Sequence, residues 1–441
     1  MNKIKNAIKE NNDLYCLAVK AKNRIPRKLY YPKDYFKIKR MLDSNNLNID
    51  EFRNERLCNL LKEALEYVPY YKKLNLGILS EDITEENAFE MLQKFPYIDK
   101  KTVIENADDF VNIKFNKDKL IHNKTSGSTG PGIDLWRTRR EELLEKSFFD
   151  YKWGKLGYKD NSKIVRMAVE GIKKDNEYPC SYVGDKMIIC PNHLNYKCID
   201  EIFNKIKEFK PAFFHCYPSS FQYLLQYMKE NNLNLDNVQG IFLASEAVNK
   251  DVLNLSQLVF KNVPIIFHYG LSERSNLAWG IFQNNEICYK CDDIYGYSEN
   301  IINEDGLPEI VGTSYWNYAM PLIRYNTHDI GKIENGIISN LQGRVEEFLI
   351  TKHGDKIHGI NIDMDDYTWK YVDIVQIVQN EPGKIEIHVK PKDSFNLDVK
   401  EKILKSKRAE WGNMFDILLV IDNRISKTKS GKVRYIINNI R

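Results

Sequence analysis

The chain has 441 residues, of which 43% are hydrophobic and 29% charged, with a net charge of +4. That length exceeds one simple core and predicts two or three units. Lys and Arg recur along the chain, and no run reaches the ~18 to 20 apolar residues of a membrane span, so neither a nucleic-acid binder nor an integral membrane protein is expected. The opening stretch lacks the apolar core of a secretory signal. The eight Cys are scattered, as thiols of a reducing compartment are. A cytoplasmic protein is the expectation.

In chain order, residues 34–75 read as helix, with Leu57, Leu60, Leu61, Ala64, Leu65 and Val68 on one face and Pro69 as its stop. A second amphipathic helix is predicted over 139–153, carrying Leu143, Leu144, Phe148, Phe149 and Trp153. The middle of the chain alternates short apolar runs with helical patterns, which predicts α/β layering. Two runs, "GIFLASEAV" (240–248) and "VPIIFHYGLSE" (263–273), lead into small polar residues and a glutamate. Ligands of open α/β sheets sit beyond the carboxyl ends of strands, so Glu246 and Glu273 are expected at the rim of one crevice. From residue 344 the pattern becomes a compact α+β unit. It predicts two short strands around His353-Gly354, a helical "YTWKYV", a strand "KIEIHVK", a charged helix and a strand "DILLVID".

Between the first helices and the sheet lies "HNKTSGSTGPGIDLW" (122–136), in which Thr125 to Gly130 are all Thr, Ser or Gly. Placed between a strand and a helix, such a loop can turn backbone N–H groups inward as an anion nest, with hydroxyls as further donors. Gly127 and Gly132 have the glycine spacing of a Walker A motif, but Ile133 and Asp134 stand where its Lys and Ser/Thr belong, which excludes a P-loop NTPase. Lys124, Arg137 and Arg139 are the nearby cations, the two arginines read as a solvated face.

The loop is followed in order by "HYGLSE" (268–273), "PLIRYNTHDIG" (321–331), "GRVEEFLITKHG" (343–354) and "SKTKSGKVR" (426–434). Together these motifs resemble the adenylate-forming acyl/aryl-CoA synthetase superfamily. "EALEYVPYYKKL" (63–74) and "FPYIDKKTVIEN" (95–106) look like its phenylacetate–CoA ligase branch, and more closely the CapK-like relatives found with capsular polysaccharide genes. The resemblance implies an α/β fold with a large N-terminal multi-sheet α/β domain, residues 1–343, and a small mobile α+β C-terminal domain, residues 344–441. It implies a ligase that uses ATP and Mg2+ to make acyl-AMP and pyrophosphate from a small carboxylate. The acyl group would then pass to a thiol or amine: coenzyme A, a carrier protein or an amino sugar.

The same resemblance carries roles to single positions. Thr125, Ser126, Gly127, Ser128, Thr129 and Gly130 match the phosphate loop, with Thr129 among the residues of the chemistry. Glu273 matches the magnesium-binding glutamate, and Tyr269 and Gly270 line the adenine and acyl pocket. Ser245 and Glu246 align with the segment facing adenine. Asp329 matches the aspartate that takes both ribose hydroxyls. Around it the family shows Tyr-Arg-Thr-Gly-Asp, where Asn326 and His328 replace Arg and Gly, and Arg324 lies two positions earlier. Arg344 matches an arginine contacting ribose or phosphate, Glu346 the hinge, Gly354 the approach to the acceptor channel and Lys432 the catalytic lysine. Tyr217, Ala244, Asn276 and Trp279 are expected to wall the acyl pocket.

Two other patterns are weaker. Cys180, Cys190, His193 and Cys198, with Cys288 and Cys291 beyond, offer zinc-type side chains, but only the last pair has zinc spacing and it has no partner pair. His215, His268 and His328 fall near strand ends without a nucleophile elbow, against an esterase. The competing reading is a non-catalytic nucleotide- or partner-binding protein on a retired ligase fold. The presence of Glu273, Asp329 and Lys432 argues against it.

Overall fold

The computed structural model describes residues 12–440 apart from 45–46, 126–131, 169–176, 195–197, 247, 249, 305, 343–347, 359–365 and 426–435. Helices come first: α1 (Asn12–Arg24), α2 (Lys33–Asp43), α3 (Ile49–Tyr67), α4 (Pro69–Lys73), α5 (Ala88–Leu92) and α6 (Lys100–Glu105). The single helix expected over 34–75 is therefore three. Asn48 caps α3 through its side chain on the Glu51 N–H. Pro69, expected as a stop, also opens α4 at a position where its missing N–H costs nothing. The apolar face read from sequence is the buried one, with Leu57, Leu60, Leu61 and Ala64 inaccessible to solvent.

Next comes an antiparallel hairpin, β1 (Ile121–Lys124) and β2 (Asp134–Arg137), then α7 (Arg139–Gly154). Thr138 and Glu141 form a reciprocal capping box that fixes where α7 starts. The central sheet has twelve strands. Its first half comprises β3 (Ile164–Met167), β4 (Cys180–Val183), β5 (Lys186–Ile189), β6 (Phe213–Cys216), β7 (Gly240–Leu243) and β8 (Ile265–Gly270), interleaved with α8 (Ile199–Phe209), α9 (Pro218–Glu230) and α10 (Lys250–Phe260). All are parallel except the edge strand β4. The second half is antiparallel: β9 (Leu277–Gln283), β10 (Glu286–Cys291), β11 (Gly296–Ile302), β12 (Pro308–Ser314), β13 (Tyr325–Glu334) and β14 (Ile337–Gln342). The spatial order is β11-β12-β13-β14-β10-β9-β8-β7-β6-β3-β5-β4, so the halves join where β8 pairs with β9.

Residues from 348 onward enclose a core of their own, built from Leu349, Val375, Ile377, Ile387, Ile403, Trp411 and Leu419. The hairpin β15 (Phe348–Ile350) and β16 (Lys356–His358) turns at Gly354, whose φ is +86°. Then follow α11 (Asp366–Tyr371), β17 (Val372–Glu381), β18 (Lys384–Pro391), α12 (Leu397–Trp411), β19 (Asp416–Ile421) and β20 (Ile436–Asn438), with sheet order β19-β18-β17-β20. Every element read there from sequence is present, and β17 and β20 are additional. No helix among the described residues is long and apolar enough to cross a membrane.

Candidate active site

At the carboxyl end of β8 the chain reverses through residues 271–276 into β9, and Arg274 takes the left-handed conformation at φ +58° to make the turn. The turn buries Glu273, whose Oε1 accepts a 3.0 Å hydrogen bond from the Tyr325 hydroxyl at the start of β13. Inside β8, the Tyr269 hydroxyl lies 2.8 Å from Asp329 Oδ2 and 3.2 Å from Thr327 Oγ1. Its one proton goes to the carboxylate, the shorter and charged acceptor. Thr327 instead donates to the Ile310 carbonyl at 2.9 Å and accepts from the Asp329 N–H at 3.1 Å. Burial first, and the Asp329 charge second, push the Tyr269 phenol well above its ordinary range, so it remains a neutral donor.

Four strand positions separate β8 from β13 in the sheet order. In a flat sheet that is roughly 19 Å at the usual strand spacing. The direct Tyr269–Asp329 bond therefore requires the antiparallel half to curl back over the end of β8. Two motifs distant in sequence become one buried cluster holding Tyr269, Glu273, Tyr325 and Asp329.

The two departures from the family pattern beside Asp329 share one partner. His328 has φ +59°, the left-handed region in which a glycine costs least. Its N–H donates to Asn326 Oδ1 at 2.9 Å, and its Nδ1 lies 2.8 Å from Glu309 Oε2. The Asn326 amide donates to that same Glu309 oxygen at 2.7 Å. On the other side, His328 Nε2 is 3.7 Å from Asp99 Oδ2, and this contact holds Asp99 well below the usual carboxylate range. The turn is thus intact without its glycine. Glu309, on β12, has no signal in sequence that could have found it.

Arg324 is also left-handed, at φ +55°, and buried. It makes a two-pronged bond to Glu299, 2.9 Å on each arm, and donates to the carbonyls of Gln93 and Phe95. Ile98 exchanges backbone hydrogen bonds with Arg324 and Asn326. The "FPYIDKK" motif is therefore a strap along the first residues of β13.

The Thr/Ser/Gly loop does not run from a strand into a helix as expected. The residues on either side of it pair as the β1–β2 hairpin, Asp134–Arg137 onto Ile121–Lys124, and α7 opens only at Arg139. Thr125 closes the loop's base, its N–H bonded to the Ile133 carbonyl at 3.0 Å and its hydroxyl to the Ile133 N–H at 2.8 Å. A side chain at Gly132 would collide with the Thr125 carbonyl. Ser126, Gly127, Ser128, Thr129 and Gly130 lie outside the described residues, as do Arg344, Glu346 and Lys432.

Arg137 is a correction: it is buried rather than part of a solvated face. It donates to the Ser272 carbonyl and lies 3.8 Å from Glu142, while Arg274 bonds Glu142 at 2.9 Å. The pair ties the exit of the hairpin to the turn that presents Glu273. Burial, then the neighbouring Arg274, depress Arg137 from its ordinary value. Arg139 is exposed, as expected.

The expected pocket residues divide. Tyr217 and Ala244 cap β6 and β7, their N–H groups bonded to Met167 and Cys216. Ser245 beyond them is left-handed and exposed, and Glu246 is half-buried. Gly270 ends β8 and is exposed. Trp279 packs on Phe149 and His268 and donates to Asp292 at 2.9 Å. Asn276 uses its carboxamide on Ser298 and the Val311 carbonyl instead, pinning β11 and β12. Burial lowers the His268 imidazole to about 4. His215, 2.6 Å from Arg166, is pushed well below its ordinary value by burial and that guanidinium. The eight Cys form no disulfide. Among the described residues no group of three or more His, Cys, Asp or Glu side chains is placed to hold a metal.

Comparison with known proteins bears on the fold. The structure of a 2-hydroxyisobutyryl-CoA ligase in complex with 2-HIB-AMP and CoA, in its thioesterification state, superposes with a TM-score of 0.56 at 17% identity, covering 88% of this chain and 89% of that one. The same ligase in its postadenylation state with R3-HIB-AMP gives 0.50 at 16% identity over 88% of each chain. The fold is that of the adenylate-forming CoA ligases. By sequence the relative is more particular. Residues 349–439 match the CapK C-terminal domain, and the chain is 24% identical to Protein CapK of Staphylococcus aureus over 462 positions, 96% of this chain and 97% of that protein.

Proposed function

We propose that the chain is an ATP- and Mg2+-dependent ligase of the phenylacetate–CoA ligase type. A carboxylate oxygen attacks the α-phosphorus of ATP, the α–β phosphoanhydride bond breaks, and acyl-AMP and pyrophosphate result. The acyl group then moves to a thiol or amine. The observation that carries this reading is the buried Tyr269–Asp329 bond, which sets a carboxylate against the last residues of a parallel strand, just before the turn that buries Glu273.

In this reading Asp329 accepts both ribose hydroxyls, and Tyr269, a neutral donor, fixes its orientation without competing for its charge. Ser245 and Glu246 face adenine, and Thr125 to Gly130 with Arg344 serve the phosphates. A magnesium ion fits the donor set, since it takes one or two hard carboxylates and keeps its waters. Glu273 would hold it, and the ion would offset phosphate charge. Lys432 bridges the attacking carboxylate and the α-phosphate. Tyr217, Ala244 and Trp279 wall the acyl group, with Asn276 supporting the wall from behind. Residues 1–343 and 344–441 act as two domains turning about Glu346, which exchanges adenylation for acyl transfer. Coenzyme A is the first acceptor to consider, because the similar solved ligase binds it. A carrier protein or an amino sugar is the alternative, in keeping with a role in surface polysaccharide.

The test is to incubate the chain with Mg·ATP and panels of aryl, fatty, hydroxy and amino acids, and to look for acyl-AMP by mass spectrometry. Adenylate from one chemical class is expected, consumed when the right acceptor is added. ATP binding by calorimetry with no adenylate from any class would point to an acid outside the panel, and no ATP binding at all would favour the retired-ligase reading.

A further inference from the structure

Positive charge is not spread as evenly as the whole chain suggests. Residues 1–40 contain twelve Lys or Arg against three Asp or Glu, a balance of +9, and the remainder sums to −5. Helix α1 lies within this basic segment, and its two faces differ. One side packs on the edge of the central sheet: the Cys16 thiol bonds the Tyr182 carbonyl at 2.9 Å. Val19 and Asn23 close over Gly184, where a side chain would press on Val19, and Arg24 reaches Asp185 at 3.4 Å.

The opposite side carries Leu14, Leu17, Ala18, Ala21 and, just past the helix, Ile25, at the three- and four-residue spacing of a single face. These side chains point to solvent: Leu17 is 62% and Ile25 45% exposed, and Leu29 in the following turn 76%. Lys20 and Arg24 flank one edge of this stripe and Lys22 the other, all exposed. The helix docks on the sheet edge through its other face, so the stripe is not what holds it there.

We propose that α1 and the turn after it form a docking surface for an anionic lipid bilayer, on which the apolar stripe enters the headgroup boundary while the flanking cations meet lipid phosphates. An apolar stripe bordered on both sides by Lys and Arg is the pattern of helices that lie in that plane. A nucleic acid would use the cations but has no place for the leucines. Attachment is peripheral, and it does not depend on the ligase reading.

The experiment is co-sedimentation of the full chain with vesicles of phosphatidylcholine alone, and of phosphatidylcholine with about 30% phosphatidylglycerol, at low salt and near 0.5 M salt. Binding to the anionic vesicles only, weakened by salt, is expected. The variant Leu17→Ser/Ile25→Ser/Leu29→Ser should lose about 10-fold or more in partitioning, as should Lys20→Glu/Lys22→Glu. The charge variant alters two exposed side chains, of which Lys22 lies 6.0 Å over the Tyr30 ring, so its melting temperature stays close to that of the wild type. Equal binding to neutral vesicles, no binding to either, or serine and charge variants that bind like wild type would overturn the proposal. So would retention on a soluble polyanion such as single-stranded DNA with none on vesicles.

Discussion

Tyr269 and Asp329 meet at 2.8 Å inside the protein, one on the last parallel strand and the other on a strand four places away across the sheet. The bond joins the two halves of the fold at the point where the proposed ribose site is formed. Removing the hydroxyl should therefore act on the nucleotide more than on the fold.

Tyr269→Phe deletes one donor to a buried carboxylate, worth about 1.5–3 kcal/mol for a charged acceptor. KM for ATP should rise roughly 10-fold or more, with a smaller change in kcat, in a steady-state pyrophosphate assay. An unchanged KM would mean that Asp329 is oriented by Thr327 and the backbone alone.

Arg324 acts on the framework instead. Arg324→Met would leave the largely covered Glu299 carboxylate without its two-pronged partner and release the strap at Gln93 and Phe95. Breaking a buried pair from one side costs about 3–5 kcal/mol. Urea unfolding should show a loss of unfolding free energy of that size, and a loss under about 1 kcal/mol would contradict the pairing as a structural tie.

Gly312 on β12 faces Asn276, and a methyl group there would overlap its carboxamide, which is already fixed by Ser298 and Val311. Gly312→Ala should destabilise by about 1–3 kcal/mol through overpacking. Because Asn276 follows the Glu273 turn, the apparent affinity for Mg2+ should weaken as well, which a magnesium titration of activity would detect.

His268 supplies a pH dependence with a definite sign. Burial lowers its imidazole from the ordinary 6.5 to about 4, so between those values the unfolded chain binds a proton that the folded chain refuses. Its contribution is fully present above pH 6.5 and is lost as pH falls towards 4. Melting temperatures measured from pH 7 to 4 should decline, and His268→Leu should flatten the part of the decline due to this residue.

The sequence carried the elements and the motif residues but not the partners that place them. The apolar periods of α3 and α7 and the strands leading to Ala244 and Gly270 were legible because each is a local pattern. Asp329 and Glu273 stand out as candidates because their motifs are short and ordered. The hairpin under the Thr/Ser/Gly loop was not legible, since Asp134–Arg137 reads as a helix approach until its pairing with Ile121–Lys124 is known. Glu309, Glu299 and the burial of Arg137 depend on strands folding over one another. A carboxylate that neutralises a residue distant in sequence leaves no trace in a one-dimensional pattern. His328 shows the limit in the other direction: it stands where the family has glycine, and side chains beyond its motif, Glu309 and Asp99, accommodate it.

If the proposal holds, these residues adenylate a carboxylate. The most direct measurement is acid-dependent ATP–pyrophosphate exchange by the wild type, Glu273→Gln and Lys432→Ala. Exchange is expected with one class of acid, on the order of 10²- to 10³-fold slower in Lys432→Ala and reduced in Glu273→Gln, while ATP still binds. Exchange at the wild-type rate in both variants would contradict it.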